Sequence, residues 1–294
     1  MRLISVLDGG DERVGVVVGA RATPAVAIMN GAPRTMNDLL AGGQELLDAL
    51  RAAVDGQAEQ IRQSGAPFEA LTILAPVPRP GKVVAIGLNY HAHTIEQDIE
   101  APAEPLIFAK FPSSVVGQGA TITWDPELTS QVDFEGELAC VMGRRARDVS
   151  QANALDHVLG YTCGNDVSAR DLQFGDRQWV RGKSLDTFCP LGPWIVTRDE
   201  VPDPQALRLR TIVSGETLQD GHTRDMIFSV AQIIAHASRA FTLDPGDVIM
   251  TGTPSGVGVY RDPKRFLHHG DVVEVDIDGI GVLRNPCREV AAGR

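Results

Sequence analysis

The chain has 294 residues, 43% of them hydrophobic, which is enough for one large core, or for a core with a smaller satellite. Its formal net charge of −11 disfavours nucleic acid and anionic membrane surfaces as partners, and it requires any acidic substrate to meet local positive charge. No apolar run approaches the roughly 20 residues of a membrane span. The N-terminus meets charged and turn residues too early for a signal peptide, and Cys140, Cys163, Cys189 and Cys287 form no C-x-x-C pair, so a cytoplasmic protein with reduced thiols is expected.

In chain order, residues 1–19 predict a hairpin, RLISVL and RVGVVVG about the turn DGGDE. Residues 44–63 predict an amphipathic helix, with Leu46, Leu47, Leu50, Val54 and Ile61 at helical spacing and Ser64-Gly65-Ala66-Pro67 as its stop. The stretch 75–81, with three prolines, reads as an extended linker. It divides a small N-terminal accessory α/β domain, 1–75, from a catalytic domain, 80–290. Beyond it, short β-rich runs alternate with turn signals. The last two, DVVEVDI and IGVLRN, flank Asp278-Gly279, a dipeptide suited to a two-residue type I′ hairpin. The clearest later helix covers Phe228–Phe241, with Val230, Ile233, Ile234 and Ala237 on one face. The fold class is therefore α+β and β-rich.

The run DFEGELACVM predicts a strand with one wet end. Residues i and i+2 of a strand share a face, so Glu135 and Glu137 project side by side. Charges that close destabilise each other unless neutralised, and hard carboxylate oxygens favour Mg²⁺, Mn²⁺ or Ca²⁺ over Zn²⁺. Acidic residues at this spacing are also common on ordinary exposed strands, so a third carboxylate matters. Asp166 opens DVSARDLQ. If that segment is a helix, Asp166 is its N-cap, and Arg170 and Gln173 share its face. The bland alternatives are a plain cap and a salt bridge from Arg170 to Asp166 or Asp171.

In GLNYHAHTIE, a helical turn would set His93 against Glu96 at i, i+3, the arrangement in which a carboxylate fixes the imidazole tautomer for proton abstraction. His91 is i+5 from Glu96 and faces elsewhere. Residues 94–105 read as a mobile lid. Lysine is scarce, four against 23 arginines, which draws attention to Lys183 and Lys110.

Six ordered motifs across about residues 80–285 resemble the fumarylacetoacetate hydrolase family: GLNYHAHTIE, PLIFAKFPSSVVG, DFEGELACVMG, GNDVSARDLQ, RGKSLDTFCPLGPW and GDVIMTGTPSGVG. The resemblance implies a mixed β-sandwich roll in a homodimer, with Glu135, Glu137 and Asp166 as ligands of Mg²⁺. It also implies His93 and Glu96 as a catalytic dyad, Lys183 beside the substrate, Arg170, Gln173 and Thr253 as substrate contacts, and Lys110 and Ser113 along the pocket. TGTPSGVG is not a phosphate loop, because its spacing is wrong and no lysine follows.

On this basis the expected activity is cleavage of a C–C bond in a 2,4-dioxo acid such as an acylpyruvate or fumarylpyruvate. Water activated by His93 would attack the distal carbonyl, Lys183 would stabilise the oxyanion, and the carbanion would leave as an enolate of pyruvate. The alternative is a 2-oxo acid decarboxylase or isomerase of aromatic catabolism, of the oxaloacetate or 2-hydroxyhepta-2,4-diene-1,7-dioate type. A metal-dependent binding protein without turnover is the third reading, and retention of every matched position argues against it.

Overall fold

A computed structural model describes residues 1–291. The hairpin forms from strands Arg2–Asp8 and Asp11–Val18. Helix Gly43–Ser64 buries Leu47, Leu50, Val54 and Ile61, the face that its periodicity predicts. Helix Val230–Ala240 buries Val230, Ile233, Ile234 and Ala237. Its first turn is closed by a reciprocal cap: the Ser229 hydroxyl accepts from the Gln232 N–H, and the Gln232 side chain accepts from the Ser229 N–H.

A 12-stranded sheet runs through the molecule. At its centre, strand Gly136–Met142 lies between strands Val158–Asn165 and Val248–Met250. All seven of its residues are buried. Leu138, Cys140 and Met142 face a core shared with helix Val230–Ala240 and with a second, five-stranded sheet. Ala139 and Val141 face an opposite core made with the helices Met36–Ala41 and Gly43–Ser64. Burial on both faces is why GELACVM reads as a nearly unbroken apolar run rather than an alternating one. The architecture is mixed α/β and strand-rich, with layers on both sides of the large sheet.

The N-terminal segment joins this sheet directly. Strand Arg2–Asp8 pairs antiparallel with strand Cys189–Thr197, Leu3 opposite Ile195. The proline-rich stretch 75–81 packs against it: Ala75 and Val77 are buried, and the Ser5 hydroxyl donates to the Pro76 carbonyl at 2.8 Å.

Two local expectations change. The turn after strand Val272–Ile277 has three residues, not two. Ile277 pairs with Gly281, the Ile280 N–H donates to the Ile277 carbonyl, and only Gly279 of the dipeptide has positive φ, 75°, whereas a type I′ turn needs both. Asp166 is not a helix cap. The helix starts later, at Arg170–Asp176, after a two-residue strand Ser168–Ala169 that pairs with Val132–Asp133.

Candidate active site

Glu137 lies in strand Gly136–Met142 and Glu135 immediately precedes it. Asp166 follows the neighbouring strand Val158–Asn165, and its N–H donates to the Glu135 carbonyl at 2.8 Å, which locks the two segments in register. The three carboxylates are buried, and each offers an oxygen within 4.8 Å of the others.

Three cations share the space. Lys183 Nζ donates to Glu135 and to Asp166, both at 2.8 Å. Lys110 Nζ donates to the other Asp166 oxygen at 2.5 Å. Arg170 Nη1 lies 2.7 Å from Glu135 and donates to Gln173 Oε1 at 2.9 Å. Arg170 Nε donates at 2.8 Å to Asp133, a buried acid that the sequence reading leaves without a role. Arg170 therefore pairs with neither Asp166 nor Asp171. Asp171 instead holds the Thr129 hydroxyl and the Ser130 N–H. Arg170 Nη2 is buried and has no hydrogen-bond partner.

The electrostatics divide the acids. Burial raises the Glu135 carboxyl, but Lys183 and Arg170 outweigh it and hold the group at about 2. Burial, together with the charges of Asp166 and Glu135, pushes Glu137 well above the usual carboxylate range. Among the described residues Glu137 makes no ion pair; what counters the rise is the Gly252 N–H, which donates to Oε2 at 2.8 Å, and the nearby Lys183 charge. Burial lowers Lys183, and Asp166 and Glu135 more than restore it, so the ammonium form is favoured. Three buried hard oxygen donors, one of them without an ion-pair partner, fit a divalent cation of the Mg²⁺ or Mn²⁺ kind.

Facing this cluster is helix His91–Glu96. His93 Nδ1 is 2.5 Å from Glu96 Oε1, and Glu96 Oε2 accepts the Gly256 N–H at 2.8 Å. His91 is exposed. His93, Glu135, Arg170, Gln173, Lys183 and Thr253 line one cleft, whose apolar wall is Phe108, Phe174 and Trp179. Gln97 and Tyr260 also line it, and neither is singled out by sequence reasoning. Ser113 lies on an exposed turn, outside the residues that line this cleft. Lys110 stands behind Asp166.

The segment TGTPSGVG has a role that its sequence hid. Its backbone N–H groups hold three site carboxylates: Gly252 holds Glu137, Gly256 holds Glu96, and Gly258, with Val259 just beyond the segment, holds Asp133 at 2.8 and 3.0 Å. The Thr253 hydroxyl is engaged within the protein, donating to the Gly136 carbonyl and accepting from Gln219 Nε2. Gly256 has φ of 102°, and a Cβ there would lie 2.3 Å from the Leu218 carbonyl oxygen, so a glycine is required at that turn.

The profile described as fumarylacetoacetate hydrolase C-terminal matches residues 82–288. The chain belongs to the fumarylacetoacetate hydrolase family. The mitochondrial oxaloacetate tautomerase fahd2 of Xenopus laevis is 44% identical over 256 residues, 86% of this chain and 78% of that one. The fumarylacetoacetate hydrolase of Exiguobacterium antarcticum is 37% identical, with a TM-score of 0.84 over 99% of this chain and 100% of that one. The maleylpyruvate hydrolase of Sphingobium sp. SYK-6, solved with manganese(II) and pyruvate, is 32% identical, with a TM-score of 0.80 over 98% and 99%. This chain is accordingly an enzyme of a family that processes 2-oxo acids, with a candidate site for a divalent metal. No helix among the described residues is long and apolar enough to cross a membrane.

Proposed function

We propose that the protein is a divalent-metal-dependent isomerase of small anionic 2-oxo acids, moving a proton between carbon and oxygen in the keto–enol tautomerisation of an oxaloacetate-type substrate. The observation that carries the proposal is a histidine whose Nδ1 is hydrogen-bonded to a glutamate carboxylate, beside a buried acid cluster and an unpartnered arginine nitrogen. The identity to an oxaloacetate tautomerase over 86% of the chain supports the same reaction.

Glu135, Glu137 and Asp166 would hold Mg²⁺ or Mn²⁺, and the bound cation supplies positive charge that stabilises an enolate oxygen. The remaining chemistry belongs to the chain. Arg170 Nη2 takes the substrate carboxylate, with the guanidinium already braced by Asp133 and Gln173. The Lys183 ammonium adds positive charge on the oxygen side. Glu96 accepts the Nδ1 proton of His93, so Nε2 carries the lone pair that accepts and returns the proton at the substrate carbon. The apolar wall of Phe108, Phe174 and Trp179 limits water and strengthens each charge interaction.

The hydrolytic reading, the first expectation from the sequence, moves to second place. It is favoured by the 32% identity to a maleylpyruvate hydrolase and by a dyad equally suited to activating water. The deciding experiment follows the decay of the enol of oxaloacetate by its ultraviolet absorbance, with and without Mn²⁺. Metal-dependent acceleration is expected, reduced by at least about 100-fold in His93→Ala. Enol decay at the uncatalysed rate, together with C–C cleavage of a 2,4-dioxo acid, would replace the isomerase with the hydrolase.

A further inference from the structure

We infer that Gln97, tethered by Tyr260, is a specificity-determining positioning residue that reserves His93 for a substrate proton and keeps it from activating water. The inference rests on the isomerase reading above and adds the reason the same dyad does not hydrolyse.

The Gln97 amide nitrogen lies 2.7 Å from His93 Nε2. Its orientation follows from its other contact: the Tyr260 hydroxyl donates to Gln97 Oε1 at 3.1 Å, so the NH₂ end faces the imidazole. Because Nδ1 is committed to Glu96, Nε2 is the accepting nitrogen, and every donor and acceptor in the chain Tyr260–Gln97–His93–Glu96–Gly256 is matched.

The backbone fixes where this amide starts. Gln97 closes helix His91–Glu96, and Asp98 follows at φ of 53°. The Asp98 N–H donates to the Ile95 carbonyl and the Ile99 N–H to the Thr94 carbonyl, so the end of the helix is pinned. The far anchor is pinned as well. Tyr260 ends the turn Gly258–Tyr260, whose N–H groups grip Asp133, the partner of Arg170. The Tyr260 ring also meets His93 edge-on, with centroids 6.4 Å apart.

A general base must hold its water about 2.6–3.2 Å from the accepting nitrogen. The Gln97 amide nitrogen occupies that shell. Tautomerisation needs only one substrate carbon to reach Nε2, which a modest rotation of the amide allows. Hydrolysis needs a water held between Nε2 and the carbonyl. In that reaction the water oxygen bonds to the distal carbonyl carbon and the C–C bond breaks. Its electron pair passes to the enolate of pyruvate, which takes up the proton that His93 removed. An amide tethered at its oxygen can pivot only far enough to admit one reacting atom at Nε2, which leaves no room for a water held between Nε2 and the carbonyl.

The test compares wild type, Gln97→Ala and Tyr260→Phe, each loaded with Mn²⁺, on two substrates: the enol of oxaloacetate and acetylpyruvate, the latter in H₂¹⁸O. The ratio of hydrolysis to tautomerisation should rise at least about tenfold in Gln97→Ala, equivalent to about 1.4 kcal/mol. One ¹⁸O should enter the released carboxylic acid. Tyr260→Phe, which removes only the tether, should raise the ratio by a smaller factor. If both activities fall in proportion in both variants, Gln97 is merely structural and the inference fails while the isomerase reading stands. A wild type that does not tautomerise oxaloacetate overturns that reading and this inference together.

Discussion

Among single residues, Glu137 carries the sharpest consequence. Its carboxyl is raised by burial and by the neighbouring charges of Asp166 and Glu135, so in the metal-free protein it binds a proton more tightly folded than unfolded. Stability from that proton is full below the ordinary carboxylate value and is lost as pH rises towards the raised one. A divalent cation competes with the same proton, so its binding should strengthen as pH rises through that window, with proton release. Calorimetric titration of Mn²⁺ between about pH 5 and about pH 8, in buffers of different ionisation heat, should show both effects. Glu137→Gln should abolish the proton release and weaken binding by at least about tenfold, the low end for loss of a metal-site contact. At this scale much of the site was legible. The i, i+2 acids and the i, i+3 His–Glu pair are short-range patterns, which local geometry turns directly into proximity. Asp133 and Gln97 were not legible in the same way. Their partners, Arg170 and Tyr260, lie 37 and 163 residues away, and no local spacing signals such contacts.

Between elements, the connection that matters is the segment TGTPSGVG. A glycine-rich turn advertises unusual backbone conformation, and the sequence excluded a phosphate loop, but it does not say what the freed N–H groups face. They face the protein's own carboxylates. Gly256→Ala should therefore act at a distance. A Cβ 2.3 Å from the Leu218 carbonyl oxygen moves the turn, and the N–H that holds Glu96 moves with it. Turnover should fall by about 10-fold to about 100-fold while Mn²⁺ affinity changes little, because Glu137 is held by a different residue, Gly252. Parallel measurement of kcat and metal affinity checks this. The helix starts show the same limit of sequence. Ser229 and Gln232 form a cap that closes within the segment itself. DVSARDLQ begins as extended chain because Ser168 and Ala169 pair with the distant Val132–Asp133, and that tertiary pairing overrides the capping preference of Asp166.

For the molecule as a whole, one continuous sheet links segments that composition separates. The proline cluster at 75–81 suggests a boundary, and the family match begins at 82, yet strand Arg2–Asp8 is hydrogen-bonded to strand Cys189–Thr197, and the N-terminal helices cover one face of the central strand. β-Pairing between distant segments leaves no periodic trace in either one, so this union could not be read from the sequence. Leu50 reports on it. It is fully buried in the core that includes Ala139 and Val141, on the strand that carries Glu137. Leu50→Ala should lower unfolding stability by about 2–5 kcal/mol. Denaturant titration followed by tryptophan fluorescence should show one shifted transition rather than two separate ones, with the activity of the folded fraction retained.

That central strand has a further bearing on the enzyme. The acids at its end rest on backbone enclosed from both sides, whereas the histidine dyad rides on a helix of six residues at the surface. The two halves of the site thus belong to parts of the protein with unequal resistance to opening. The arrangement of the three carboxylates should persist for as long as the chain is folded. Under the proposed roles, the choice of what is done to the substrate rests on a short surface segment, so side-chain changes there can redirect the chemistry without endangering the fold.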